Sequence, residues 1–281
     1  MHKRANFPAG LLTIFLCLLL CLLLAAAAPQ NVPDDSALSS AVCPLVYQLD
    51  DSPGSRGYRY SFFGNAFFIN DQGYLLTVAH VLDTFRDGGQ PYILVSRPNS
   101  PPRLVPASII AVDHEHDVAI LHANPNPFDT KYKVNFLALA SDPASRGQSV
   151  IAFSLHPPKL QNAHTFEIPL EDRSTGEVLS YESTQLEKTA PTADVFLLSH
   201  SVTLGQSGSP VISFDSHAVV GLIEGRWLRF QAASAVKSAT PGAAIPIQYA
   251  IELLQRHSIP WRHLPLSSQT PHSPHSNGNP H

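Results

Sequence analysis

Short apolar runs broken by turn residues dominate the chain from residue 41 onward. VCPLVYQL, YSFFGNAFFI, YLLTVAHVL, YILV, LVPASIIAV and DVAILHA follow one another before residue 124. They are rich in Val, Ile, Phe and Tyr, side chains that suit a pleated, half-buried surface. Runs of this length with turn signals between them predict an all-β body. A Pro- and Asn-rich stretch, ANPNPFDTKYK at 123–133, then interrupts the pattern and reads as a crossing between two halves. A second set follows: SVIAFSL, TFEIPLE, DVFLLSH, PVISF, AVVGLIEG and WLRFQAASAV. Two such sets predict two six-stranded antiparallel β-barrels side by side, the first over about 41–125 and the second over about 135–245.

One stretch breaks the β pattern. In IPIQYAIELLQRH, Ile247, Ala250, Ile251 and Leu254 fall at i, i+3, i+4 and i+7, which predicts a C-terminal helix over about 246–257. Pro246 and Pro260 suit its limits. From 266 the chain turns polar and Pro-rich, a composition that predicts a disordered tail. His272, His275 and His281 lie there, with no rigid element to fix them as metal ligands.

At the other end, Lys3 and Arg4 precede LLTIFLCLLLCLLL and AAAAP, the pattern of a secretory signal over 1–28. The apolar stretch 11–28 also approaches the length of a membrane span, so an uncleaved N-terminal anchor is the competing reading. Both readings imply export, to the periplasm or the extracellular space. A polar linker, NVPDDSALSS, leads from there to the body.

Composition narrows the partners. Of 281 residues, 44% are hydrophobic and only 14% charged, which favours a globular body over disorder. The formal charge of −4 offers no basic footprint, so nucleic acid is not an expected partner. Cys17 and Cys21 would leave with a cleaved signal. Cys43 then has no partner for an intrachain disulfide, and its place in AVCPLVYQL reads as a small buried hydrophobe.

Three segments carry candidate chemistry: TVAHVL with His80, HEHDVAIL with Asp117, and GQSGSP with Ser207. A serine hydroxyl is a poor nucleophile near neutral pH and needs an adjacent base to take its proton. Histidine suits that task because its pKa lies near the operating pH. A buried carboxylate holds the imidazole in the right tautomer and stabilises its charged form. His80 and Asp117 would lie in the first barrel and Ser207 in the second, placing a site in the cleft between them. Taken singly each is bland: a packed histidine, a strand start, a Gly-rich turn. Their joint occurrence in a β-rich chain is the specific signal.

With these segments in that order, residues 41–257 resemble the trypsin-like serine peptidases of the chymotrypsin fold. They look most like exported bacterial members without disulfides, of the HtrA or glutamyl-endopeptidase type. GNAFFINDQGYLLTVAHVL resembles the family's approach to its catalytic histidine, HDVAIL its acid segment, and GQSGSP its nucleophile loop. The resemblance implies catalytic roles for His80, Asp117 and Ser207, and an oxyanion hole from the Gly205 and Ser207 amides. AVVGLIEG resembles the strand that pairs with substrate. A primary pocket is then expected near Ser201, Thr203, Ile223, Glu224 and Gly225. The implied partner is a peptide or protein substrate, with no metal or other cofactor; the oligomeric state is open.

Departures accompany the likeness. Ala66 and Ser209 stand where the family usually has Gly, and Ile223 stands where glutamyl-specific members carry histidine. No stretch matches the peptide-binding (PDZ) module that usually follows an HtrA peptidase domain. Among other readings, an α/β-hydrolase esterase fails because Ser209 occupies the second glycine position of its G-x-S-x-G elbow, Asp215 is the only aspartate after Ser207, and no helix is expected after the serine. A non-catalytic chymotrypsin-fold binding protein is the main alternative. A metal pair at His114 and His116 shows no third ligand nearby.

Overall fold

A computed structural model describes residues 35–49, 59–85, 89–97, 100–129, 134–157, 166–186, 191–227 and 240–266. The predicted signal, the WLRFQAASAV run after its tryptophan, and the tail beyond Leu266 lie outside the described residues. No helix among the described residues is long and apolar enough to cross a membrane.

Six strands build the first barrel: β1 (Val42–Leu49), β2 (Arg59–Phe68), β3 (Tyr74–Thr77), β4 (Pro91–Arg97), β5 (Ser100–Asp113) and β6 (Val118–Ala123). They close in the order β1-β2-β3-β6-β5-β4. Phe67, Phe68, Leu75, Leu76, Ile120 and Leu121 are fully buried, as continuous apolar runs require. A two-residue strand β7 (Leu139–Ala140) follows the crossing. Then come β8 (Ser149–His156), β9 (Leu170–Gln185), β10 (Thr192–Leu198), β11 (Pro210–Ser213), β12 (Val219–Arg226) and β13 (Gly242–Pro246). Their pairing runs β11-β8-β9-β10-β13-β12, and β12 also pairs β11, which completes a second six-strand ring. The architecture is the expected all-β, chymotrypsin-like pair of barrels.

The helix follows as α2 (Ile247–Arg256), a short α1 (Asp35–Ala41) having preceded the first barrel, and its C-terminal turn carries Arg256. Its buried face is Ile247, Ala250, Leu253 and Leu254, with Leu253 more enclosed than the predicted Ile251. Beyond it, β14 (His263–Leu264) lies parallel to β7, which also pairs in parallel with β12. Asn70 Nδ2 donates to the Pro260 carbonyl at 2.7 Å, and Ile259 is buried. The end of the described chain is thus sewn to the first barrel and to the crossing.

Three elements differ from the reading of the pattern. The expected linker contains a one-sided helix, α1 (Asp35–Ala41), because Leu38 and Ala41 can reach the core from it. The 16-residue β9 leaves no mark in the pattern because only two of its residues are buried, so few apolar side chains are needed there. TFEIPLE forms no strand of its own: Ile168 and Leu170 are 64% and 62% exposed, and only its last residues enter β9.

Ending the chain after Ser258 should expose the bed of Ile259 and remove the β7–β14 pairing. Losing one buried isoleucine alone costs about 2 kcal/mol. A melting temperature lowered by at least about 4 °C is expected in thermal unfolding, and an unchanged midpoint would contradict this role for the C-terminal seam.

Candidate active site

The serine loop is bent by two glycines and anchored by an amide. Gly205 (φ +92°) and Gly208 (φ +80°) hold backbone angles that side chains disfavour. At Gly208 a Cβ would sit 2.1 Å from the Asn65 carbonyl oxygen and 2.4 Å from Thr77 Oγ1, so the loop needs the missing side chain for contact as well. Asn65, buried on β2, donates its backbone N–H to the Ser207 carbonyl at 2.8 Å and its Nδ2 to the Gly205 carbonyl at 2.9 Å. Its Oδ1 accepts from Leu155 N–H at 3.1 Å, and its carbonyl accepts from Thr77 Oγ1 at 2.7 Å. First-barrel residues therefore hold the second barrel's serine loop. Sequence reading passed over Asn65; the one signal was an amide inside the apolar run YSFFGNAFFI. Beside it, Ala66 is buried opposite Cys43 of β1.

His80 sits in the 3-10 helix Ala79–Phe85 that follows β3, with a side chain 41% exposed. Asp117 ends the turn between β5 and β6, in a left-handed conformation (φ +54°), and is nearly buried. One carboxylate oxygen accepts the His80 backbone N–H at 2.8 Å, and the other accepts ring Nδ1–H at 2.8 Å. The Asp117 carbonyl accepts Ala79 N–H at 3.2 Å. Held this way, the neutral ring carries its proton on Nδ1 and leaves Nε2 as the base. Burial disfavours the imidazolium. The Asp117 hydrogen bond and charge, with Glu224 and Asp83, outweigh burial and raise the His80 pKa above its ordinary value.

Ser207 meets this pair through Glu224. The pairing of β12 with β13 slips between Ile223 and Gly225, so Glu224 lies in a bulge. Its carbonyl accepts the Ser207 hydroxyl at 3.1 Å, and no hydrogen bond joins Ser207 to His80. Glu224 also lines, with His80, Asp83, His114, Asp117 and Leu186, a cavity of about 170 Å³.

The backbone around the serine divides sharply. Gln206, Gly208 and Ser209 donate their N–H groups to Thr203, Ile223 and Gln206 carbonyls. The Gly205 and Ser207 N–H groups find no acceptor among the described residues. These two amides are the ones expected to face an oxyanion.

Of the expected pocket residues, Ser201 donates its hydroxyl to the Thr240 carbonyl at 2.7 Å, and Thr203 N–H donates to Gln206 Oε1 at 2.6 Å. Glu224 and Gly225 lie half-buried on β12, whereas Ile223 is fully buried in the core. His114 lines the cavity beside His80. His116 instead engages Asp113 at 3.1 Å and stacks on Tyr249. Cys43 is free and fully buried, and burial pushes its thiol pKa far up, which keeps it from acting as a thiolate.

The trypsin-like peptidase domain family matches residues 64–222, more than half of the chain. This chain belongs to that family and is a serine endopeptidase. Solved structures share its fold. The active form of the Rv3671c protease from M. tuberculosis aligns at a TM-score of 0.56 and 18% identity, over 84% of this chain and 88% of that one. The HtrA-type protease AlgW with a decapeptide aligns at 0.54 and 20% identity, over 78% of this chain and 65% of AlgW. Deg5 aligns at 0.53 and 15% identity, over 77% and 88%. No curated protein sequence matches the chain.

Three acidic groups hold the His80 pKa up against burial, so its NMR titration should lie above the ordinary imidazole value. Asp117→Asn should move it down, and Glu224→Gln should move it down by less. A midpoint indifferent to Asp117→Asn would contradict the electrostatic account.

Proposed function

We propose that the chain cleaves peptide bonds through an acyl-enzyme formed on Ser207, with His80 as general base and Asp117 as the group that orients His80. The observation that carries this reading is the two-point grip of Asp117 on the ring and backbone of His80. A substrate strand laid along Glu224–Arg226 would give the Glu224 carbonyl a peptide N–H in place of the Ser207 hydroxyl. The hydroxyl then turns about its Cα–Cβ bond toward His80 Nε2. His80 takes the proton as Oγ attacks the scissile carbonyl, and the Gly205 and Ser207 amides receive the oxyanion. The imidazolium returns its proton to the leaving amine, and water repeats the sequence to release the acyl group.

The peptide in the AlgW complex supports peptide substrates for this chain as well. Residues 1–28 support export, so the substrates would be met outside the cytoplasm. The Ser207–Glu224 hydrogen bond is the observation that favours the other reading, a chymotrypsin-fold peptide-binding protein without turnover.

Labelling separates the two. A serine-directed phosphonofluoridate should add one mass label, on Ser207, and His80→Ala should abolish it. Ser207→Ala and His80→Ala should each cost on the order of 10⁶ in turnover, and the double change scarcely more. Asp117→Asn should cost about 10⁴ through the wrong tautomer. A wild-type protein that takes no label and cleaves no unfolded protein is a binding module.

A further inference from the structure

Between the two amides assigned to the oxyanion lies Gln206, and it is 3% exposed. Its Oε1 accepts Thr203 N–H at 2.6 Å, closing the loop on itself. Its Nε2 reaches across to the second barrel's wall, donating to Asp172 Oδ2 at 3.0 Å and to buried Ser154 Oγ at 3.3 Å. Ser154 is on β8 and Asp172 opposite it on β9, in register. Asp172 is the charged partner of the Gln206 side chain, and its own side chain is 39% exposed. The loop's tip thus hangs from a carboxylate that water can reach.

We infer that Gln206 and Asp172 are positioning residues for the oxyanion hole: the charge-assisted bond between them ties the residue between the two amides to the β8–β9 wall, and so steadies the aim of the Gly205 and Ser207 N–H groups. The inference rests on the proposed role of those amides. The loop's other supports do not do this alone. Asn65 holds the carbonyls of residues 205 and 207, and the Gln206 N–H and carbonyl bond Thr203 and Ser209 inside the loop, which leaves the tie to Ser154 and Asp172 to the Gln206 side chain. Packing adds a wall: a Cβ on Gly205 would meet Phe62 at 2.5 Å and His156 at 3.4 Å.

Charged and titratable groups around Asp172 are few. His156 on β8 brings Nε2 to 3.7 Å from Asp172 Oδ2 and 3.4 Å from Ser154 Oγ. His200, after β10, feels the Asp172 charge, although burial lowers its pKa first. Glu171 and Arg173 are the chain neighbours on β9. Replacing the Gln206 amide by a carboxylate would therefore set two like charges about 3 Å apart, a contact that neither tolerates when ionised.

The test is a charge cycle in the full-length protein at a pH where His80 is neutral. Gln206→Glu keeps the acceptor for Thr203 but repels Asp172. Its kcat should fall on the order of 10²–10³, the loss typical of one oxyanion donor, with KM nearly unchanged. A peptidyl boronic acid, which mimics the tetrahedral adduct, should weaken in parallel. Adding Asp172→Asn to Gln206→Glu should restore most of the lost kcat. Asp172→Ala, a change at a half-exposed site, should alone lower kcat about tenfold through the lost charged acceptor. It keeps the test open if Gln206→Glu does not fold. A Gln206→Glu kcat within threefold of wild type, a loss that Asp172→Asn leaves untouched, or an Asp172→Ala loss confined to KM would each overturn the inference. Ser207→Ala, run alongside, separates the two failures: if it retains turnover, the catalytic reading itself has failed.

Discussion

Asn65 lies in the seam between the two barrels, out of reach of water, and each kind of polar atom it carries has a partner there. A buried amide left unpaired costs about 1–3 kcal/mol, so the loop, the β3 threonine and the start of Leu155 must all arrive where Asn65 needs them. It bonds the carbonyls of residues 205 and 207, the two residues whose own N–H groups find no acceptor among the described residues. Everything that could happen at Ser207 depends on this one side chain being satisfied. It also explains the close contact of Gly208 with Asn65 and Thr77, which leaves no room for a larger residue.

Electrostatics then act on a frame already fixed. Asp117 is held in a left-handed turn and bonded twice to His80, so its charge cannot swing away. The same turn is braced from outside: Arg256 of α2 donates to Asp113 at 2.6 Å, and Asp113 holds His116, which stacks on Tyr249 of α2. Asp113 pays for its burial through these partners, which hold its carboxyl below the usual carboxylate range. The C-terminal helix, remote in sequence, thereby steadies the residue next to the acid.

The apolar strands were readable because each buries a continuous run, as in VCPLVYQL and SVIAFSL. His80, Asp117 and Ser207 were readable because each stands in a short segment whose neighbours are as telling as the residue itself. Asn65, the Glu224 bulge and the Gln206–Asp172 bond were not. Each depends on which residues of distant strands come opposite one another, and no local pattern encodes that. β9 escaped for a simpler reason: with only two of its 16 residues buried, its polarity resembles that of a loop. Only its pairing with β8 and β10 reveals it as a wall of the barrel.

The parallel contact of β14 with β7 has a consequence for the order in which the molecule can be completed. Asn70 and Pro260, joined by one hydrogen bond, are 190 positions apart, and β14 meets β7 across most of the second barrel's sequence. Contacts that span so much chain are slow to form, since loop closure must precede any reward. A chain emerging from its N-terminus can close the first barrel, with His80 and Asp117 already in it, long before the last strand exists. The serine loop comes next, and the stitch across the crossing comes last.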